Sequence, residues 1–109
     1  MSKLSELIDA YEKEYDEMTE SARVVKKRLS EASLYEQLAE ECCELAHACQ
    51  KKARKLRGEN PTPMGMEEID ANVTEEFTDI HVVAELLNLS IDVPLYWEKM
   101  DRWRKRLIS

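Results

Sequence analysis

The sequence predicts an all-α protein, a four-helix bundle-like protomer that oligomerises. Three observations lead there. Only two glycines and three prolines interrupt 109 residues rich in Glu, Lys, Leu and Ala. Apolar residues recur at helical spacing in four separate segments. Capping residues and turn formers mark the breaks between those segments. A chain of 109 residues with 43% hydrophobic content suits one folded domain, residues 1–109, with one modest core. A bundle this small tends to need a partner subunit to finish covering its apolar faces.

The first helix is predicted from about Lys3 to Leu29. Leu4, Ile8, Tyr11, Tyr15, Met18, Ala22, Val25 and Leu29 alternate steps of four and three, the pattern of a heptad seam. The seam is long for one bundle helix, so it serves packing within the bundle and a subunit contact, with docking of a different partner as the rival use. A break near Thr19 or Ser21 is compatible with the pattern. Ser30 to Ser33 read as a short turn. The second helix then covers Tyr35 to Arg57, opened by Ser33-x-x-Glu36 and stopped by Gly58. Its core stripe is predicted to be Leu38, Cys42, Leu45, Cys49, Ala53 and Leu56, with Cys42 and Cys49 as small core residues.

Residues 58–71 contain two prolines and two glycines and form a long connection, either functional or a spacer between antiparallel helices. A turn of helix near Glu67 to Asp70 fits within it. The third helix is predicted to start near Asn72, with Asn72-Val73-Thr74-Glu75 as its cap signature, and to end near Leu89. Asp92 and Pro94 open the fourth, which continues to about Leu107 with Tyr96, Met100, Trp103 and Leu107 as its stripe. Lys99, Arg102 and Arg106 share one shoulder of that helix, a solvated face or a place for anionic phosphates.

The totals exclude several functions. A net charge of −7 disfavours non-specific binding to nucleic acid. Three cysteines in a single helix, with no CxxC and no Cys/His zinc spacing, are neither a disulfide framework nor a zinc site. No leader-like stretch or membrane-length apolar run occurs, so the expected location is cytoplasmic, with no membrane partner.

The chemistry is concentrated in the acids of the two middle helices. Glu41 lies on the shoulder of the second helix's core stripe, and Glu44 follows one turn along the same side. In the third helix Glu76 and Asp79 fall inside an apolar arc, with Val83 between them angularly and Leu86 beside Asp79. Ionised carboxylates in an apolar face are costly unless a cation or strong donors compensate them. Two such pairs, each spaced i, i+3 on its own helix, offer the all-oxygen environment that hard divalent ions prefer. A chain with 23 acidic residues also produces such spacings by chance, and surface acids paired with neighbouring lysines are the plain alternative. Glu44-Leu45-Ala46-His47 additionally matches the Glu-x-x-His spacing of di-iron bundles. The third helix has Thr78, not an acid, three places before His81, and both histidines project away from their stripes, which disfavours that chemistry.

Leu38-Ala39-Glu40-Glu41-Cys42-Cys43-Glu44-Leu45, followed by Glu75-Glu76-Phe77-Thr78-Asp79-Ile80, resembles the MazG-like all-α nucleoside triphosphate pyrophosphohydrolases. The resemblance covers roughly Tyr35 to Leu89 and rests on E-E-x-x-E then E-x-x-D in two antiparallel helices. It implies Glu41, Glu44, Glu76 and Asp79 as ligands of Mg²⁺ (Mn²⁺ as the alternative ion), with Glu40 as a supporting acid. It also implies hydrolysis of a (deoxy)nucleoside triphosphate to the monophosphate and pyrophosphate by a homodimer or homotetramer, in nucleotide-pool house-cleaning. One of Glu40, Glu41 or Glu44 would accept the proton from water. Lys52 and Lys55, on the flank that carries Glu41 and Glu44, and Lys99, Arg102 and Arg106 on the fourth helix, would hold phosphates, with Lys51 a weaker candidate. Tyr35, Trp97 and the 58–71 connection are the candidates for base contacts. A non-catalytic helical interaction module that uses the first helix's heptad seam is the alternative function.

Overall fold

In a computed structural model, residues 2–59 and 63–108 are described, and every regular element among them is a helix. The order is α1 (Lys3–Arg28), α2 (Glu31–Arg57), α3 (Met66–Leu86) and α4 (Val93–Ile108). No helix among the described residues is long and apolar enough to cross a membrane.

The Ser2 hydroxyl caps α1 by accepting from the Ser5 amide at 3.2 Å, and Lys26, Lys27 and Arg28 complement its C-terminal dipole. The helix does not break at Thr19 or Ser21. Both hydroxyls donate back to carbonyls one turn earlier, Tyr15 at 2.9 Å and Glu17 at 3.0 Å, so their polarity is satisfied inside the helix. No α1 residue is buried, and of the predicted seam only Ala22 and Val25 are even half-covered.

The start of α2 corrects the predicted turn. Ser30, not Ser33, is the cap: its hydroxyl accepts from the Ser33 amide at 3.1 Å, so the helix begins at Glu31. At the other end Gly58 takes φ +70°, and the Glu59 amide returns to the Arg54 carbonyl at 3.1 Å. That closure requires a left-handed residue, which glycine supplies without a Cβ clash.

Helix α3 begins six residues before the predicted Asn72, so Asn72-Val73-Thr74-Glu75 is mid-helix. Three features draw the early turn into the helix. Glu67 and Glu68 sit at the positive end of the helix dipole, Ile69 is the most deeply buried large side chain at 1% exposure, and Lys52 of α2 pairs with Asp70. The predicted connection is therefore shorter than 58–71, and its residues 60–62 lie outside those described. Asn88, at φ +56°, turns the chain after α3 while the Leu89 amide bonds to the Ala84 carbonyl at 2.9 Å. Asp92 then caps α4 by accepting from the Leu95 amide at 3.0 Å.

Helices α2 and α3 form the packed unit. They run antiparallel, because Lys52 meets Met66 and Asp70 while Glu41 meets Glu76 and Asp79. The covered face of α2 is Leu34, Leu38, Glu41, Leu45, Ala48, Lys52 and Lys55, each buried or half-buried at steps of four and three. This stripe shares Leu38 and Leu45 with the predicted one and is rotated from it by roughly 65°. Cys42, Cys49 and Leu56 are consequently exposed, and Ala48 replaces Cys49 in the core. The facing stripe on α3 is Ile69, Val73, Glu76, Ile80, Val83 and Leu87.

Neither α1 nor α4 completes a closed bundle around this pair. Helix α1 makes only a small contact with α3, and α4 leaves Tyr96, Met100, Trp103 and Leu107 exposed. The radius of gyration is 19.2 Å, against about 13 Å for a compact domain of this length.

Candidate metal centre

Heptad geometry places one acid on each facing stripe of the α2–α3 pair. Glu41 stands between Leu38 and Leu45, and Glu76 between Val73 and Ile80, each flanked along its stripe by apolar side chains. Asp79, three residues beyond Glu76, projects from the same side of α3. One carboxylate oxygen from each of Glu41, Glu76 and Asp79 lies within 4.8 Å of the other two, and all three residues are half-buried. The Gln37 side-chain amide donates to Glu41 Oε1 at 2.8 Å, one turn earlier on α2, and so orients that carboxylate.

Three negative groups this close repel one another. The effect appears at Glu76, whose carboxyl is held above its ordinary range. Loss of solvent between the helices is the leading cause, followed by the charges of Asp79, Glu44, Glu41 and Glu75. Glu44 therefore belongs to the same electrostatic neighbourhood, although it is exposed and outside the tight triad. Glu40 is exposed and also outside the triad. The donor set suits a hard divalent ion: it is all oxygen, it is anionic, and at Glu41 a neighbouring amide fixes it.

The predicted cations are distributed differently. Lys52 is half-buried and engaged, its ammonium bonded to Asp70 Oδ1 and placed 3.0 Å from Met66 Sδ. It acts as a tie between α2 and the first turns of α3. Lys55 is half-buried one turn further along the same stripe, and Lys51 is exposed. Among the described residues α4 has no extensive packing against α2 or α3, and Lys99, Arg102 and Arg106 line a separate shallow surface with Trp103. On that helix Arg102 approaches Glu98 at 3.7 Å, while Arg104 and Lys105 grip Asp101, lowering its pKa by hydrogen bonding. Trp97 is 64% exposed, with its ring edge-on to Tyr96 at 5.6 Å, and Tyr35 is also exposed.

His47 and His81 are both exposed, as predicted. His81 Nδ1 lies 2.9 Å from the Phe77 carbonyl, its ring packs edge-on against Phe77, and neither histidine joins the acid triad. Sequence reasoning missed two supporting contacts, Gln37 to Glu41 and Lys52 to Asp70. The first had a local signal, an i, i+4 amide–carboxylate spacing. The second joins residues 18 apart and depends on the helix register.

No known family profile, curated protein or solved structure matches this chain.

Proposed function

We propose that the chain is a divalent-cation-dependent nucleoside triphosphate pyrophosphohydrolase, cytoplasmic and homo-oligomeric. The observation that carries the reading is the convergence of Glu41, Glu76 and Asp79 from two helices among flanking apolar side chains. In this reading those three acids hold Mg²⁺ or Mn²⁺, with Glu44 adding negative charge beside them. The bound cation supplies neutralisation and alignment of phosphate oxygens, which lets an acidic protein accept an anionic substrate. The residues of the chain perform the remaining work. Gln37 holds Glu41 in place, and Lys52 fixes α3 against α2 through Asp70. Lys55, on that stripe but about 21 Å along α2 from Glu41, and Lys99, Arg102 and Arg106 on α4 are the cations offered to phosphates. Glu44, exposed beside the triad, Glu41 within it, or Glu40, exposed on the neighbouring face of α2, accepts the proton as water attacks and pyrophosphate leaves.

A panel of canonical and modified (deoxy)nucleoside triphosphates tests the reaction. Pyrophosphate and monophosphate should appear in equal amounts with Mg²⁺, and neither should appear with EDTA or in Glu41→Gln. Absence of turnover across the panel would favour a second reading, a non-catalytic interaction module. One observation supports that alternative: α1 carries a full heptad seam and buries none of it within the chain.

A further inference from the structure

Helix α2 carries a second apolar stripe beside the one that meets α3. Tyr35, Ala39, Cys42, Ala46, Cys49, Ala53 and Leu56 follow steps of four and three, and all but the half-buried Ala53 are exposed. Its middle is made of small side chains. The α1 seam is the converse: Leu4, Ile8, Tyr11, Tyr15 and Met18 are large, apolar and exposed, on a helix with no buried residue. Large side chains set against small ones let two helices approach closely. The lengths also agree, at about 38 Å from Leu4 to Leu29 and about 32 Å from Tyr35 to Leu56.

Charge decides the direction. Helix α1 is acidic in its N-terminal half, with Glu6, Asp9, Glu12 and Asp16, and basic at its end, with Arg23, Lys26, Lys27 and Arg28. Helix α2 repeats that order, with Glu36, Glu40 and Glu44 followed by Lys51, Arg54 and Arg57. Only an antiparallel pairing of α1 with α2 sets opposite charges together.

Within one chain the two helices do not pack along each other. The chain exposes 9316 Å², whereas a compact monomer of 12.7 kDa exposes about 6,200 Å². The excess, about 3,100 Å², is more than the roughly 800 Å² per partner of a standard interface and suits an obligate one. We propose that the occupant is a second copy of this chain: α1 of each protomer lies antiparallel along the Tyr35–Leu56 stripe of the other's α2, in a reciprocal twofold dimer. The proposal rests on the homo-oligomeric part of the reading above and not on its chemistry. It also sets Cys42 in the interface, one residue from Glu41, so that assembly braces the helix that presents the acids.

The cysteines provide an internal probe. Cys42 and Cys49 lie on the stripe, while Cys43 belongs to the polar face with Glu40 and His47. The wild-type chain is labelled with N-ethylmaleimide at several protein concentrations, each cysteine is quantified by peptide mass spectrometry relative to its rate in urea, and mass is measured by sedimentation equilibrium. A dimer is expected in which Cys42 and Cys49 react at least tenfold more slowly than Cys43, with protection lost in step with dissociation on dilution. Tyr15→Asp should expose both thiols, whereas Met100→Asp on the α4 stripe should leave them protected. If Tyr15→Asp does not fold, the dilution series on the wild-type chain decides. A monomer at all concentrations, whether or not its thiols are protected, overturns the proposal and the homo-oligomer reading together. An oligomer in which all three thiols react alike overturns the seam alone.

Discussion

Replacing Asp79 with Asn preserves shape while removing one charge from the triad, so it separates electrostatic strain from packing. Two unit charges 4.8 Å apart repel by about 0.9 kcal/mol at the dielectric of water and about 3.5 kcal/mol at an effective dielectric of 20. Asp79 and Glu41 are only half-buried, which favours the lower figure, so relief of that pair is worth about 1 kcal/mol. Unfolding a chain of 109 residues carries an entropy of about 0.23 kcal/mol/K, so metal-free Asp79→Asn should melt roughly 4 °C higher than wild type. Added cation should reverse the order. At 10 mM Mg²⁺ and a Kd on the order of 1 mM, linkage stabilises the wild type by about 1.4 kcal/mol, or roughly 6 °C. The variant, lacking a ligand, should gain little. Differential scanning calorimetry in EDTA and in Mg²⁺ reads both effects. A variant that melts no higher in EDTA, or that gains as much from Mg²⁺ as the wild type, would refute the argument that Asp79 stands in a repelling, cation-holding cluster.

Further consequences follow for pH and packing. Folding raises the Glu76 pKa, so the native chain binds more protons than the unfolded one and the metal-free protein loses stability as pH rises through the ordinary glutamate range to the raised value. Stabilisation by Mg²⁺ should grow over that same interval as the ion displaces the proton. Melting curves from pH 4.5 to 7.5 check both, and Glu76→Gln should flatten the metal-free trend. In a double-mutant cycle, Lys52→Met and Asp70→Asn should couple by about 0.5–1 kcal/mol, a partly exposed pair that ties α2 to α3; zero coupling would remove that tie. Ile69→Ala should cost about 2–4 kcal/mol in urea denaturation, because Ile69 is nearly fully enclosed. A cost under about 1 kcal/mol would contradict docking of the early turn of α3.

The four helices were legible because their apolar spacing and end signals are local. Gly58 and Asp92 terminate and open helices where the sequence places them. Local signals failed where tertiary contacts outweighed them. Asn72-Val73-Thr74-Glu75 has the residues of a cap, but Ile69 and Asp70 dock on α2 and extend the helix past it. On α2 two adjacent stripes compete. The one with Cys42 and Cys49 is the more apolar, yet α3 packs on the one that holds Glu41, Ala48 and Lys52. Hydrophobicity alone ranks those faces in the opposite order, because it does not register the Lys52–Asp70 tie between the helices. The placement of Glu76 and Asp79 in a covered arc was readable from α3 alone. Their approach to Glu41 depended on the antiparallel register, which no single-helix pattern encodes.

If Glu41, Glu76 and Asp79 together hold a divalent cation, Mn²⁺ binding followed by electron paramagnetic resonance reads it without any assumption about substrate. The wild-type chain should bind Mn²⁺ saturably, at no less than one ion per chain, with competition by Mg²⁺. Glu41→Gln and Asp79→Asn should each abolish that binding, while Glu12→Gln on the acidic face of α1 should leave it intact. Binding that is absent from the wild type, or equally strong in all four proteins, would contradict the account.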